Sequence, residues 1–202
     1  MRYLTIALLI GLAVTSPTVF ADKATQIFAE GRDAYELGEF EKALDLWKRA
    51  AALSHAEAEF RLGAMYEEGV GVDADLSMAL EWYRRAAEHG SQQAQFNLGH
   101  MYARGQGVEK DEARAAHWYE RAAERGNAYA QYTLGLIYLH GRGVERDLPL
   151  AYAWLTVAIH NFNPNMFRDN ANEERAKAEE LMSSAERQRA REILDEWEAA
   201  RD

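Results

Sequence analysis

The chain has 202 residues, 48% of them hydrophobic and 28% charged, with three prolines and no cysteine, which excludes disordered and collagen-like structure and places it among foldable globular chains. The missing cysteines exclude disulfides, thiol catalysis and thiolate metal sites together. A net charge of −10 leaves no broad basic face, so nucleic acid and anionic membrane surfaces are poor partners.

Residues 1–21 come first and read as an address. Arg2 precedes an apolar run from Leu4 to Val14, Pro17 breaks it, and Val19-Phe20-Ala21 offers a cleavage point before Asp22. About a dozen apolar residues fall short of the ~20 that span a bilayer, so the run is expected to be a cleaved signal peptide and the product to be soluble and periplasmic, without insertion in the membrane.

From residue 56 the chain repeats itself every 36 residues, over 56–91, 92–127 and 128–163. Identical in all three copies are Ala58/94/130, Leu62/98/134, Gly63/99/135, Tyr66/102/138, Gly69/105/141, Gly71/107/143, Val72/108/144, Asp75/111/147, Ala79/115/151, Trp82/118/154 and Ala86/122/158. A period of this length indicates stacked supersecondary units. Ala58, Leu62 and Tyr66 recur every fourth residue, which forms one stripe of a first helix, A. Gly63 on that stripe admits a neighbouring backbone or ring. The Gly69-Val70-Gly71-Val72 turn ends helix A, and Asp75 is placed to cap a second helix, B. Ala79, Trp82 and Ala86 are expected to form the buried stripe of helix B, which closes at Gly90 and, in the next copy, at Gly126. Pro149 suits a helix N-terminus.

The third copy breaks the pattern. Val157 and Ile159 stand where earlier copies have Arg85/Arg121 and Ala87/Ala123, and Phe162 replaces the closing glycine, so something apolar must cover that end. After the turn Asn161-Phe162-Asn163-Pro164, two helices, Asn172 to Met182 and Ala185 to Ala200, are expected to form a C-terminal cap over 164–202. Ser183 and Glu186 make a capping box for the second.

The Leu, Gly and Tyr of helix A, the Gly-x-Gly-Val turn, the Asp cap and the Trp-Tyr-x-x-Ala-Ala of helix B (Trp82 to Ala87, Trp118 to Ala123) resemble Sel1-like repeats. That family is a variant of the tetratricopeptide solenoid, so the resemblance implies an all-α, right-handed α/α superhelix with a concave surface lined by helix A. Residues 22–55 depart from the pattern. Gly31, Gly38, Phe40, Ala43, Trp47 and Ala50 carry tetratricopeptide spacing without the Gly-x-Gly-Val insertion, as expected of a divergent first repeat.

Motifs for chemistry are missing. No His-Glu-x-x-His occurs, and the lone His-x-x-Glu at His117 to Glu120 lacks the second pair that a helical carboxylate metal site uses, so no metal and no cofactor are expected. His55, His89 and His117 read as rim residues at the ends of B helices. No serine is followed at the third position by lysine, as penicillin-recognising enzymes require. The resemblance keeps one enzymatic alternative open, because cysteine-rich relatives have been linked to penicillin binding and β-lactam hydrolysis. Those relatives pair cysteines within each repeat, and this chain has none.

Function is therefore expected at positions that vary between copies. By the resemblance, the exposed slots of helix A are Glu57, Gln93 and Tyr129; Arg61, Asn97 and Thr133; Ala64, His100 and Leu136; and Glu68, Arg104 and His140. Leu136 and Leu139 await cover, either by the C-terminal helices or by a partner. The reading is a non-catalytic scaffold that grips a peptide or partner protein through Asn97, His100, Arg104, Tyr129 and His140. The alternative is a hydrolase of cell-wall peptides or β-lactams.

Overall fold

The computed structural model describes residues 17–162 and 166–200. Residues 1–16, which carry the apolar run, and Asn163 and Pro164 of the expected turn lie outside the described residues. Among the described residues there are ten helices and no strand: α1 (Pro17–Glu36), α2 (Phe40–Ala51), α3 (Ala56–Glu68), α4 (Leu76–Glu88), α5 (Gln92–Arg104), α6 (Glu112–Glu124), α7 (Ala128–His140), α8 (Leu148–Asn161), α9 (Met166–Leu181) and α10 (Ser184–Ala199). Consecutive helices from α1 to α9 pack on one another, and α10 returns onto α8. The result is an α-helical solenoid in which α3, α5 and α7 are the A helices and α4, α6 and α8 the B helices.

The repeated residues fix the helix ends. The Asp75 carboxylate accepts from the amides of Ser77 and Met78 at 2.9 and 3.0 Å, and Asp111 and Asp147 accept from Arg114 and Leu150 at 2.8 and 2.9 Å. Each A helix ends on a left-handed glycine, with φ of 71°, 70° and 69° at Gly69, Gly105 and Gly141. The second glycine of each turn meets the preceding repeat. A methyl at Gly107 would overlap the carbonyl of Leu76, and one at Gly143 the backbone of Glu112. The turn is thus a point of backbone contact between units as well as a change of direction.

The helix A stripe packs as its period implies: Ala58, Leu62 and Tyr66, with Met65 beside them, are buried, as are their counterparts on α5. Each helix B corrects the sequence reading. The tryptophans Trp82, Trp118 and Trp154 are half-buried, with Arg85 and Arg121 stacked 4.5 and 4.8 Å from the first two rings. The deep slot is the next residue along. Trp47, Tyr83, Tyr119 and Leu155 occupy it, each pressed against a helix A glycine, Gly31, Gly63, Gly99 and Gly135. A methyl on Gly63 would lie 2.5 Å from the Tyr83 ring, so the absence of a side chain creates the space that the ring fills.

Polar side chains tie one repeat to the next. Gln95 donates to the carbonyl of Ala87 at 3.1 Å, and Gln131 donates to that of Ala123 at 3.0 Å. Glu59 holds the same slot in the first repeat and makes no bond to the corresponding carbonyl, that of Ala51. Arg85 substitutes, reaching the Ala51 carbonyl at 3.2 Å and the Glu59 carboxylate at 3.0 Å. His89 meets the other Glu59 oxygen at 2.6 Å. A carboxylate that is wholly buried is thereby paired on both sides.

At the C-terminal end α9 begins at Met166, six residues before the expected Asn172. Its Ala178, with Met182 and with Ala190 of α10, covers Leu139, and Leu136 packs against the same cluster. The C-terminal helices therefore supply the cover for both leucines. Val157, Ile159 and Phe162 are buried too. Trp197 of α10 lies 4.5 Å from Trp154, in the place that arginine holds in the earlier repeats. The capping box forms: the Ser183 hydroxyl accepts from the Glu186 amide, and Glu186 accepts from the Ser183 amide at 2.8 Å.

Candidate partner-binding face

The exposed side of α5 carries Gln93, Asn97, His100 and Arg104 at spacings of three and four residues, so they form one stripe. Gln93 and Arg104 are exposed, and Asn97 and His100 are half-buried. The stripe sits against a floor supplied by the first repeat. The Tyr83 hydroxyl donates to Glu67 of α3 at 2.6 Å, and Asn97 donates in turn to the Tyr83 oxygen. Burial, with the adjacent Glu67 charge, pushes the Tyr83 phenol far above its ordinary value, so it is a permanent donor. Tyr119, at the same place in the second repeat, is pushed up to about 12 by burial, with Arg104 opposing. Burial and then the Arg104 charge lower the His100 pKa, and Glu67 and Gln106 oppose the shift.

Of the five residues singled out by sequence, three come together: Asn97, His100 and Arg104. Arg104 makes no ion pair among the described residues. Tyr129 and His140 stand at opposite ends of α7. The Tyr129 ring is 45% exposed, yet it meets Phe162 and Phe167 edge-on at 5.2 and 5.0 Å and Phe96 at 6.3 Å, so it wedges α5 against the C-terminal cap. His140 is exposed beside a cleft of about 410 Å³ lined by Leu139, Arg146, Glu174, Lys177 and Leu181. Sequence reasoning missed Glu67 and Tyr83. The signal was Tyr83 itself, next to an invariant tryptophan and in register with Tyr119.

Two other histidines, His55 and His89, hold structural contacts. His55 is the N-cap of α3, its Nδ1 accepting from the Ala58 amide at 3.2 Å, and its ring stacks on Phe28 at 4.6 Å. Burial lowers its pKa, with Glu57 opposing. The rim reading of His55 is therefore corrected: it begins an A helix, as Ser91 and Asn127 do in the next two copies. Among the described residues no cluster of three or more His, Asp or Glu side chains is placed to hold a metal ion.

Residues 31–55, 56–91, 92–127 and 128–161 each match the family described as Sel1 repeat, so the divergent first unit is included. The structure is similar to that of a Sel1 repeat protein from Oxalobacter formigenes, with a TM-score of 0.64 and 34% identity over 73% of this chain and 64% of that one. It is also similar to c5321, a protective antigen present in uropathogenic Escherichia coli strains that displays an SLR fold, with a TM-score of 0.56 and 29% identity over 90% of this chain and 48% of that one. The chain thus spans less than two thirds of the length of either structure. No curated protein matches it. Four consecutive matches, on the helices and turns described above, establish that the chain belongs to the Sel1 repeat family.

Proposed function

We propose that this protein is an exported scaffold that holds a peptide or partner protein against its A-helix face without catalysis. The observation that carries the reading is the α5 stripe: Asn97, His100 and Arg104 differ from their counterparts in every other repeat, yet they lie together, reachable by solvent, on a framework that does not vary. Rigid helices with chemically varied side chains suit recognition, and arginine and aromatic anchors dominate such interfaces. Export rests on the apolar run ahead of Ala21. Cleavage there would shorten α1 to begin at Asp22 and keep the packing residues Ala24, Ile27 and Ala34. No described helix is long and apolar enough to cross a membrane.

The test is capture of a partner from periplasmic extract, followed by affinity and melting measurements on single alanine variants. Asn97→Ala, His100→Ala and Arg104→Ala should each weaken the complex by about 1–2 kcal/mol at unchanged melting temperature. Glu88→Ala and Glu124→Ala, on B helices, should do little. A complex weakened by the second set and indifferent to the first overturns the assignment of the face. Hydrolysis of a β-lactam or a wall peptide by the purified chain overturns the scaffold reading.

A further inference from the structure

Neither α5 nor α7 contains an aspartate or glutamate, in a chain with 33 acidic residues. The helices on either side of this pair are acidic. On α3 there are Glu57, Glu67 and Glu68 on or near the exposed side, and α9 carries Asp169, Glu173, Glu174, Glu179 and Glu180. On the A-helix face, α5 and α7 therefore contribute no carboxylate of their own and lie between two acidic flanks, with Glu67 of α3 reaching the α5 stripe through Tyr83. Arg104 is the only lysine or arginine on these two helices, so the permanent charge that they themselves carry is positive and sits at the end of the α5 stripe.

The flanking acids are partly engaged within the fold. Glu57 pairs with Arg61 at 2.9 Å, Glu67 accepts from Tyr83, and Glu174 pairs with Lys177 at 2.7 Å. Arg104 is left exposed with no ion pair among the described residues. Its planar fork is the group best suited to a carboxylate, and Asn97 and His100 on the same stripe add polar groups.

We infer that the occupant of this face is a short acidic segment of a partner protein, lying across α5 and α7 with a carboxylate on Arg104; the inference rests on the scaffold reading above. An apolar segment finds little to bind, because Leu136 is packed against the C-terminal helices and Tyr129 is held among phenylalanines. A basic segment would be drawn to the acidic flanks and away from Arg104. The flanks also limit length. A longer acidic run would meet α3 on one side or α9 on the other.

The experiment uses the whole chain and fluorescein-labelled peptides of sequence Gly-Glu-Glu-Glu-Glu-Gly, with glutamine and lysine versions as controls, read by fluorescence polarisation. The glutamate peptide should bind more tightly than the glutamine peptide by about tenfold, the effect of one charge-assisted pair. Arg104→Glu should abolish that preference without moving the melting temperature, because the side chain is exposed and unpaired. Lowering the pH from neutral toward about 5 should strengthen glutamate binding, since His100, which faces Arg104 and Glu67 and whose pKa burial and Arg104 hold below the ordinary histidine value, gains its charge only on acidification past that value. Equal binding of the three peptides, tighter binding of lysine, no binding by glutamate, or an Arg104→Glu variant that keeps the preference overturns the inference. A captured partner that depends on Asn97 and Arg104 but is not displaced by the glutamate peptide also overturns it, and leaves the scaffold reading standing. Absence of any α5-dependent partner removes both.

Discussion

The second and third repeats share one 36-residue frame and differ in what lies against them. In the second, Arg121 stacks over Trp118 on helix B, and the exposed side of α5 is open, its stripe ending at Arg104. In the third, Val157 replaces the arginine, Trp197 of the cap takes the stacking place on Trp154, and Leu136 and Leu139 of α7 pack under α9 and α10. One position on helix B thus carries a cation where a further repeat follows and an aliphatic side chain where the array stops. The end of the solenoid is written into the last repeat, and the face proposed for partners is what remains open between the first repeat and the cap.

Removing the cap tests that difference most severely. A chain ending at Phe162 would expose Leu139, Val157 and Ile159, all buried in the complete molecule. It should aggregate or melt far earlier than the full chain, as seen by gel filtration and thermal denaturation. A monomer with an unchanged midpoint would show that α9 and α10 are not a cap.

A second comparison separates neighbours on one helix. Tyr119 is 4% exposed and fills the space over Gly99, whereas Trp118 is half-buried under Arg121. Tyr119→Ala should cost about 3–5 kcal/mol in urea denaturation, and Trp118→Ala clearly less despite the larger ring. The reverse order would restore the tryptophans to the core.

The smallest expected effect concerns pH. His55 and His100 have folded-state pKa values below their ordinary value, so the folded chain takes up protons less readily than the unfolded one. Their stabilising contribution is complete above the ordinary histidine value near 6.5 and is lost as pH falls through the lowered folded values. Protonation of His55 also removes the acceptor that caps α3. The melting temperature should fall between pH 7.5 and pH 5.5, and His55→Asn, which keeps a capping oxygen, should make the fall shallower. An equal fall in the variant would assign the pH dependence to other groups.

The fold was legible because identity over three copies marks positions whose surroundings are the same in each: the caps at Asp75, the turn glycines, and the stripe through Leu62 and Tyr66. Identity failed at the deep slot of helix B. There a glycine on the facing helix admits any large side chain, so Trp47, Tyr83, Tyr119 and Leu155 differ while all stay buried. The tryptophans are constant for another reason, since each occupies a half-buried site covered by another side chain, Arg85, Arg121 or Trp197. His55 was hidden by its residue type, although the 36-residue frame places it with Ser91 and Asn127, both ordinary caps. Of the candidate binding residues, Asn97, His100 and Arg104 share a helix, and helix geometry alone unites them. Tyr129 and His140 depended on where α9 lies, and the first turns of α9, which begins at Met166, run through the polar stretch Arg168-Asp169-Asn170, where no apolar period announces a helix.

The central claim is that partners meet the open face of α5. The most direct measurement is an amide and side-chain chemical-shift map of the nitrogen-15-labelled whole chain, titrated with a captured partner or with the glutamate peptide. The account predicts the largest shifts at Asn97, His100 and Arg104, with smaller ones at Thr133 and no change at Glu88 or Glu124. Shifts confined to α4 and α6, or gathered around Trp154 and Trp197, would contradict it.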